Sequence, residues 1–310
     1  MFFPLYVARD RGFFTEEGID LKIIVLASGP DLVAAQVGGN IDFQDTTLFH
    51  VIRQNEQNLN MAAFASVYQE LGLDLVVSAA KVQQLGINDS MPIEARVKAM
   101  KGLKIGISRP GASTDLFIRK LLTDYGLKPD SDVTLTPIGD GGPMVAALEH
   151  GVIDAFVYPP PFPQSVEVRK LGKVILSTSK GQVENLRGFQ YQVLAAPRKM
   201  IEQSPDTILR ITRALAKAQK FTKERPEEAK ASVAKFFPDI EANTLKLALE
   251  ASLYGVPENP ILRKRSYELN EVMLNLGAGA GGKYKIPPFE SIVVNKFAEQ
   301  VSGQAPAPTK

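Results

Sequence analysis

Residues 103–126, LKIGISRPGASTDLFIRKLLTDYG, constrain the chain more than any other stretch, because they set out a strand, a tight turn and a helix in unbroken order. Leu103, Ile105 and Ile107 alternate with Lys104, Gly106 and Ser108, the period of two expected of a strand. Arg109-Pro110-Gly111-Ala112 then breaks it, and Ser113 or Thr114 offers a hydroxyl to the unpaired amides of a helix start. Phe117, Leu121 and Tyr125, with Ile118 and Leu122 beside them, form an apolar face at helical spacing, and Gly126 ends the helix. A helix N-terminus at the carboxyl edge of a strand gathers free N–H groups and a positive dipole end, at the place where open α/β sheets bind ligands. Glycine permits close approach, small hydroxyl residues add donors, and an anionic group would fit. An ordinary strand-to-helix turn with an ordinary cap would read the same way.

Other units fall around this one. Before it, the pattern predicts a short helix from Pro4, a strand at 21–26, a helix opened by Ser28-Gly29-Pro30-Asp31, a short strand at 41–43 ending at Gln44-Asp45, a helix at 46–54, and strands at 59–66 and 73–79. The more polar segment 81–101, with Gly86, Asn88 and Pro92, reads as a first crossing between domains. After the anchor unit come strands at 133–138, 153–158 and 174–177, with helices at 143–150 and 163–171 between them. Alternation at this spacing predicts a largely parallel sheet. A second crossing falls at 186–192, and beyond Pro197 the chain reads as helices at 206–224, 226–236, 240–253 and 262–276, with a disordered Pro- and Ala-rich tail at 303–310.

A weak repeat supports two lobes: Gly29-Pro30-Asp31 to Gly38 followed by Ile41-Asp42-Phe43 runs parallel to Gly142-Pro143-Met144 to Gly151 followed by Ile153-Asp154-Ala155. At 310 residues and 45% hydrophobic, the chain can give each lobe a core. Residues 1–80 and 190–310 are assigned to one lobe and 81–189 to the other.

The formal charge of +2, with both signs interspersed, supplies no field for a phosphate backbone, so nucleic acid is excluded as a partner. No run of 18 apolar residues occurs, and the first residues lack the pattern of an export signal. Cysteine is absent and the two histidines, His50 and His150, stand alone, which removes thiol chemistry and the usual zinc sites. No metal or cofactor is expected. Residues 277–282 satisfy GxGxxG, but they follow a helix and precede Lys283-Tyr284-Lys285-Ile286-Pro287-Pro288, the wrong context for a dinucleotide. Neither a phosphate-binding lysine loop nor a nucleophile elbow appears.

What remains are binding features. The turns at Ile138-Gly139-Asp140-Gly141 and Tyr158-Pro159-Pro160-Pro161 follow strands as the anchor turn does, so all three should meet at one edge. Ser28-Gly29 and Asp45-Thr46 mark the same edge in the other lobe. The candidate binding set is Pro4, Ser28, Gly29, Asp45, Thr46, Ser66, Gly111, Ala112, Ser113, Thr114, Asp140 and Tyr158. Ser113 and Thr114, with the amides of Gly111 and Ala112, should hold an anionic head, and Asp45, Thr46 and Ser28 should close on it.

Pro4-Leu5-Tyr6-Val7-Ala8-Arg9-Asp10-Arg11-Gly12-Phe13-Phe14 with Glu17-Gly18-Ile19-Asp20, followed in order by residues 38–43, 101–114 and 151–155, resembles the solute-binding proteins of ABC importers. The similarity is to the nitrate, sulfonate and taurine group, which shares its fold with thiamin-pyrimidine binding proteins. It implies an α/β fold of periplasmic-binding-protein type II, two lobes joined by two crossover segments with the ligand cleft between them, and hinge closure. It also implies a small organic anion as ligand, a membrane permease as partner, a monomer, and a periplasmic location. Members of the group normally carry an export signal and one more strand before the Pro4-Leu5 element, so a central strand is expected to be missing beside residues 21–26. The alternative is an enzyme on the same fold, a pyrimidine synthase or a chorismate-type dehydratase with Asp45 or Asp154 as base. The cysteine run of the pyrimidine synthases is not present here.

Overall fold

The computed structural model describes residues 3–26, 29–277 and 284–303, so the expected tail from 304, Ser28 and most of the glycine run lie outside the described residues. Among the described residues, eight strands form two sheets. They are β1 (Gln44–Thr47), β2 (Met61–Gln69), β3 (Asp74–Ser78), β4 (Lys104–Ile107), β5 (Thr134–Pro137), β6 (Ala155–Tyr158), β7 (Gly172–Ser177) and β8 (Gln190–Pro197). The first sheet has the order β1-β8-β2 and the second β5-β4-β6-β3-β7.

Central position in the first sheet falls to β8, which pairs antiparallel with both neighbours. The β2 sequence MAAFASVYQ is buried along nearly its whole length, as a strand covered on both faces must be. In the second sheet β5, β4 and β6 are parallel, as the alternation predicted, whereas β3 runs antiparallel to β6 and β7. The anchor unit forms as read: β4 leads into the helix Ser113–Asp124, which buries Leu116, Phe117, Ile118, Leu121 and Leu122. Each such side chain contributes about 1.5–3 kcal/mol on leaving water. Gly106 has a packing reason, since a Cβ there would lie 2.5 Å from Met144 Sδ and 2.7 Å from Ile153 Cδ1.

Three boundaries differ from the sequence reading. Residues 21–26 join neither sheet; Leu21 and Ile23 lean on the core while Ile24 and Val25 are exposed. Their alternation is a strand pattern with no ladder to complete it. The strand expected at 41–43 begins instead at Gln44, because its pairing with β8 starts at Gln44 opposite Ala195. Two residues further back the partner would be Pro197, which has no amide to donate.

The third correction concerns the first crossing. Since β3 lies between β6 and β7, the chain passes from the first sheet to the second at 70–73 and not at 81–101. The polar stretch 81–101 contains the end of the helix Ala79–Leu85 and the helix Ile93–Lys98, with Arg96 tied to Ile175 O at 2.8 Å. The return passage is 178–189, earlier than the expected 186–192, because Gln190 to Gln192 already belong to β8. Beyond it the expected helices appear: Pro205–Glu224 lies on β2 and on the helix Phe3–Asp10, while Ala242–Leu253 and Asn270–Gly277 touch the second-sheet helices Phe162–Val168 and Ser113–Asp124.

Candidate functional site

The turn after β4 is already satisfied from within. The Thr114 hydroxyl accepts the Ser108 amide at 3.0 Å and lies 2.7 Å from the Ser108 hydroxyl, and Thr114 is buried. Asp115, in the first turn of the helix, accepts the Gly111 amide at 2.7 Å with one oxygen and Arg119 Nε at 2.7 Å with the other. A carboxylate there complements the helix dipole. The Ala112 amide goes to Arg109 O at 3.2 Å. The expectation that Gly111, Ala112 and Thr114 present free donors is therefore corrected: the acid three residues after Ala112 captures the niche first. Gly111, at φ +77°, keeps its conformational reason for being glycine.

Ser113 is different. It is half-buried, and its Oγ accepts the hydroxyl of Tyr191 from β8 at 3.3 Å, a bond from the first sheet to the second. A second bond runs the same way: Arg53, on the helix Leu48–Glu56, donates from Nη1 to Gly111 O at 3.4 Å. Two polar contacts thus meet at the anchor turn.

On the opposite wall, alternation along β1 sorts its side chains. Gln44 joins a chain of amides, accepting Gln54 Nε2 at 3.1 Å and donating to Gln36 Oε1 at 3.2 Å, and Thr46 is buried. Asp45 and Thr47 point the other way. As a residue Asp45 keeps some surface, but both of its carboxylate oxygens are buried, and among the described residues neither they nor Thr47 Oγ1 have a hydrogen-bond partner. Burial holds the Asp45 carboxyl well above the usual carboxylate range. Its charge reaches Tyr6, whose phenol is raised chiefly by burial and next by Asp45, which places Asp45 beside the helix Phe3–Asp10 that carries the buried Pro4. His50 follows in the next helix and is pulled down to about 4 by burial and then by Arg53.

Asp140 precedes the helix Gly141–Glu149, and Tyr158 ends β6 with its ring edge-on to Phe162 at 5.4 Å. Burial, then the Asp140 charge, raises the Tyr158 phenol, and Tyr158 in turn contributes to the raised phenol of buried Tyr191. Asp140, Tyr158, Tyr191 and Ser113 therefore share one neighbourhood. Ser66 does not belong to it: wholly buried, it donates from Oγ to Gln190 at 3.0 Å and from its amide to Pro260 O at 2.7 Å, because β2 is covered on both faces. Gly29 starts the helix Gly29–Val37, and Ser28 lies outside the described residues.

Arg53, Tyr191 and Asp115 were missed. Asp115 carried a legible signal, an acid in the first turn; Arg53 and Tyr191 become relevant only once two sheets face each other. A cavity of about 640 Å³ lies elsewhere, lined by both passages through Glu70 and Gly188 and by Lys223, Tyr254, Arg263 and Arg265. Glu70 accepts the Gly188 amide at 3.0 Å and is pushed by burial up to about 7.

The profile of the NMT1-like family matches residues 2–237. The chain belongs to the NMT1-like family. Among curated relatives, the nitrate/nitrite binding protein NrtA of Nostoc sp. is 26% identical over 239 residues, covering 70% of this chain and 50% of the relative. The putative aliphatic sulfonates-binding protein of Bacillus subtilis is 27% identical over 230 residues, covering 73% and 64%. The chain thus spans half the length of the Nostoc relative. In fold, this NMT1-like chain matches the alkanesulfonate-binding protein SsuA from Xanthomonas axonopodis pv. citri with a TM-score of 0.71 over 94% of each chain, at 13% identity. The fold is accordingly that of the periplasmic binding proteins, with one sheet to each lobe.

Proposed function

We propose that the protein is the extracytoplasmic solute-binding component of an ABC importer, capturing a small organic anion between its two sheets by closure about residues 70–73 and 178–189. The observation that carries this reading is the meeting of Arg53 and Tyr191, on the first-sheet side, with Gly111 and Ser113, at the turn after β4 of the second sheet. Relatives named as nitrate- and sulfonate-binding proteins support the ligand class.

In this reading the anion is held by neutral and cationic donors. Arg53 supplies the positive charge. In its neutral form, which burial favours, Asp45 donates its O–H, as a carboxylic acid in an apolar site can. Thr47 and Ser113 add hydroxyls, and the first-turn amides of Ser113 and Thr114 have no intrahelical acceptor. Tyr158 forms an aromatic wall beside Asp140. The membrane permease is the expected partner and the periplasm the expected location; no helix among the described residues is long and apolar enough to cross a membrane.

Small-angle scattering tests closure. With ethanesulfonate, propionate or nitrate added in turn, at least one should shrink the radius of gyration; an unchanged radius with a ligand shown to bind would argue for a rigid unit.

A further inference from the structure

The 640 Å³ cavity shares no residue with the anion site described above. Its floor is formed by Gln69 and Glu70 where the chain leaves the first sheet, by Gly188 where it returns, and by the backbone of 255–257 running beside β2. The Glu70 side chain bonds the Gly188 amide across the floor, so one hydrogen bond joins the two passages about which closure would occur.

Four cations converge on its rim: Arg187, Lys223, Arg263 and Arg265. Ion pairs are common in this protein, yet none of these four makes one within 4 Å among the described residues. Arg187 bonds only the carbonyl of Gly181, and Arg263 and Arg265 are exposed. Lys223 is exposed as a residue; partial desolvation pulls its ammonium down and Glu258 acts as counterweight. Glu184 and Glu258 are the other acids on the rim, and Tyr254 adds a half-exposed ring. The volume falls in the range of sites that hold small organic molecules. Four cations against the three acids Glu70, Glu184 and Glu258 leave the rim net positive, and their spread around a space of that size favours a ligand with more than one negative charge over a monovalent one.

We propose that this cavity is an effector site for a multivalent small organic anion of the di- or tricarboxylate class. A ligand there touches both passages at once. By bridging Arg187 in the return passage to Arg263 and Arg265 in the C-terminal lobe-one segment, it would favour one setting of the hinge over the other, which is the differential contact a conformational shift requires.

Citrate is the probe, with acetate as the monovalent control at matched ionic strength, titrated calorimetrically into the full chain. The comparison variant is Arg263→Ala with Arg265→Ala; both side chains are exposed, so folding should be preserved. Expected is saturable 1:1 binding of citrate with at least 10-fold preference over acetate, weakened at least 10-fold in the double variant, and a change in the scattering radius of the wild-type protein on saturation. Equal binding of citrate by wild type and variant, no saturable binding, or a citrate effect reproduced by acetate would each overturn the site. A bound citrate that leaves the radius unchanged would overturn its coupling to the hinge. Repeating the titration in an Arg53→Ala background, which removes the positive charge of the anion site between the sheets, separates binding at this cavity from binding there.

Discussion

The Thr114 hydroxyl accepts the Ser108 amide at 3.0 Å and touches the Ser108 hydroxyl at 2.7 Å, so it ties the anchor turn to its own strand end. Thr114→Val keeps the shape and leaves the Ser108 groups unpaired in a buried place. Stability should fall by about 1–3 kcal/mol in urea unfolding, with ligand affinity changed less than about threefold, since valine alters no group facing the ligand. A large affinity loss with unchanged stability would return Thr114 to the binding set.

Ser113 and Tyr191 should behave in the opposite way. Their 3.3 Å bond crosses between the sheets. Tyr191→Phe and Ser113→Ala each remove one neutral hydrogen bond, about 0.5–1.5 kcal/mol. If that bond belongs to the closed form, ligand affinity should drop roughly 2- to 10-fold while the urea midpoint of the free protein moves little.

Asp45 gives the account a pH dependence. Its folded-state pKa is raised, so the neutral acid is the favoured form, and the stability it allows is lost as pH rises through that raised value. Anion affinity should fall over the same interval as the donor proton is lost. Asp45→Asn keeps a donor and removes the titration: affinity below the raised value should stay within about threefold of wild type, lose its pH dependence across it, and be accompanied by higher stability above it. Affinity in the wild type that rises with pH would mean Asp45 serves a cationic group instead.

Two buried groups set opposing stability windows. Glu70 is raised from its ordinary 4.5 to about 7, so the folded protein holds a proton the unfolded chain has released, and stability should fall across that interval by on the order of 2–4 kcal/mol. His50 is lowered from 6.5 to about 4, so its contribution rises with pH between those values. Guanidinium unfolding of Glu70→Gln should remove the fall and expose the rise.

The Tyr158 wall depends on Gly141. A Cβ there would overlap the Phe162 ring, so Gly141→Ala must displace an aromatic that stands edge-on to Tyr158. Overpacking of this kind costs about 1–3 kcal/mol, visible as a lowered melting temperature.

Local order was readable in the sequence, and pairing was not. The anchor unit, the C-terminal helices and the parallel part of the second sheet follow from periodicity and caps in 103–126, 133–158 and 206–276. Placement of β3 was lost because the crossing was sought in the polar segment 81–101, after it, while its ladder partners, β6 and β7, come much later in the chain. The site divides in the same manner. Asp45, Ser113, Asp140 and Tyr158 stood out by their place at strand ends, whereas Arg53 and Tyr191 acquire a role only from the facing of two sheets, and Ser66 lost one to the covering of β2.

The central claim is reversible capture of a small anion without turnover, and native mass spectrometry of the freshly purified protein tests it most directly. The account predicts one small anionic molecule per chain, released unchanged in mass on denaturation and rebound at the same stoichiometry after removal. A bound species that changes mass with time of incubation would contradict it and point to an enzyme on this fold.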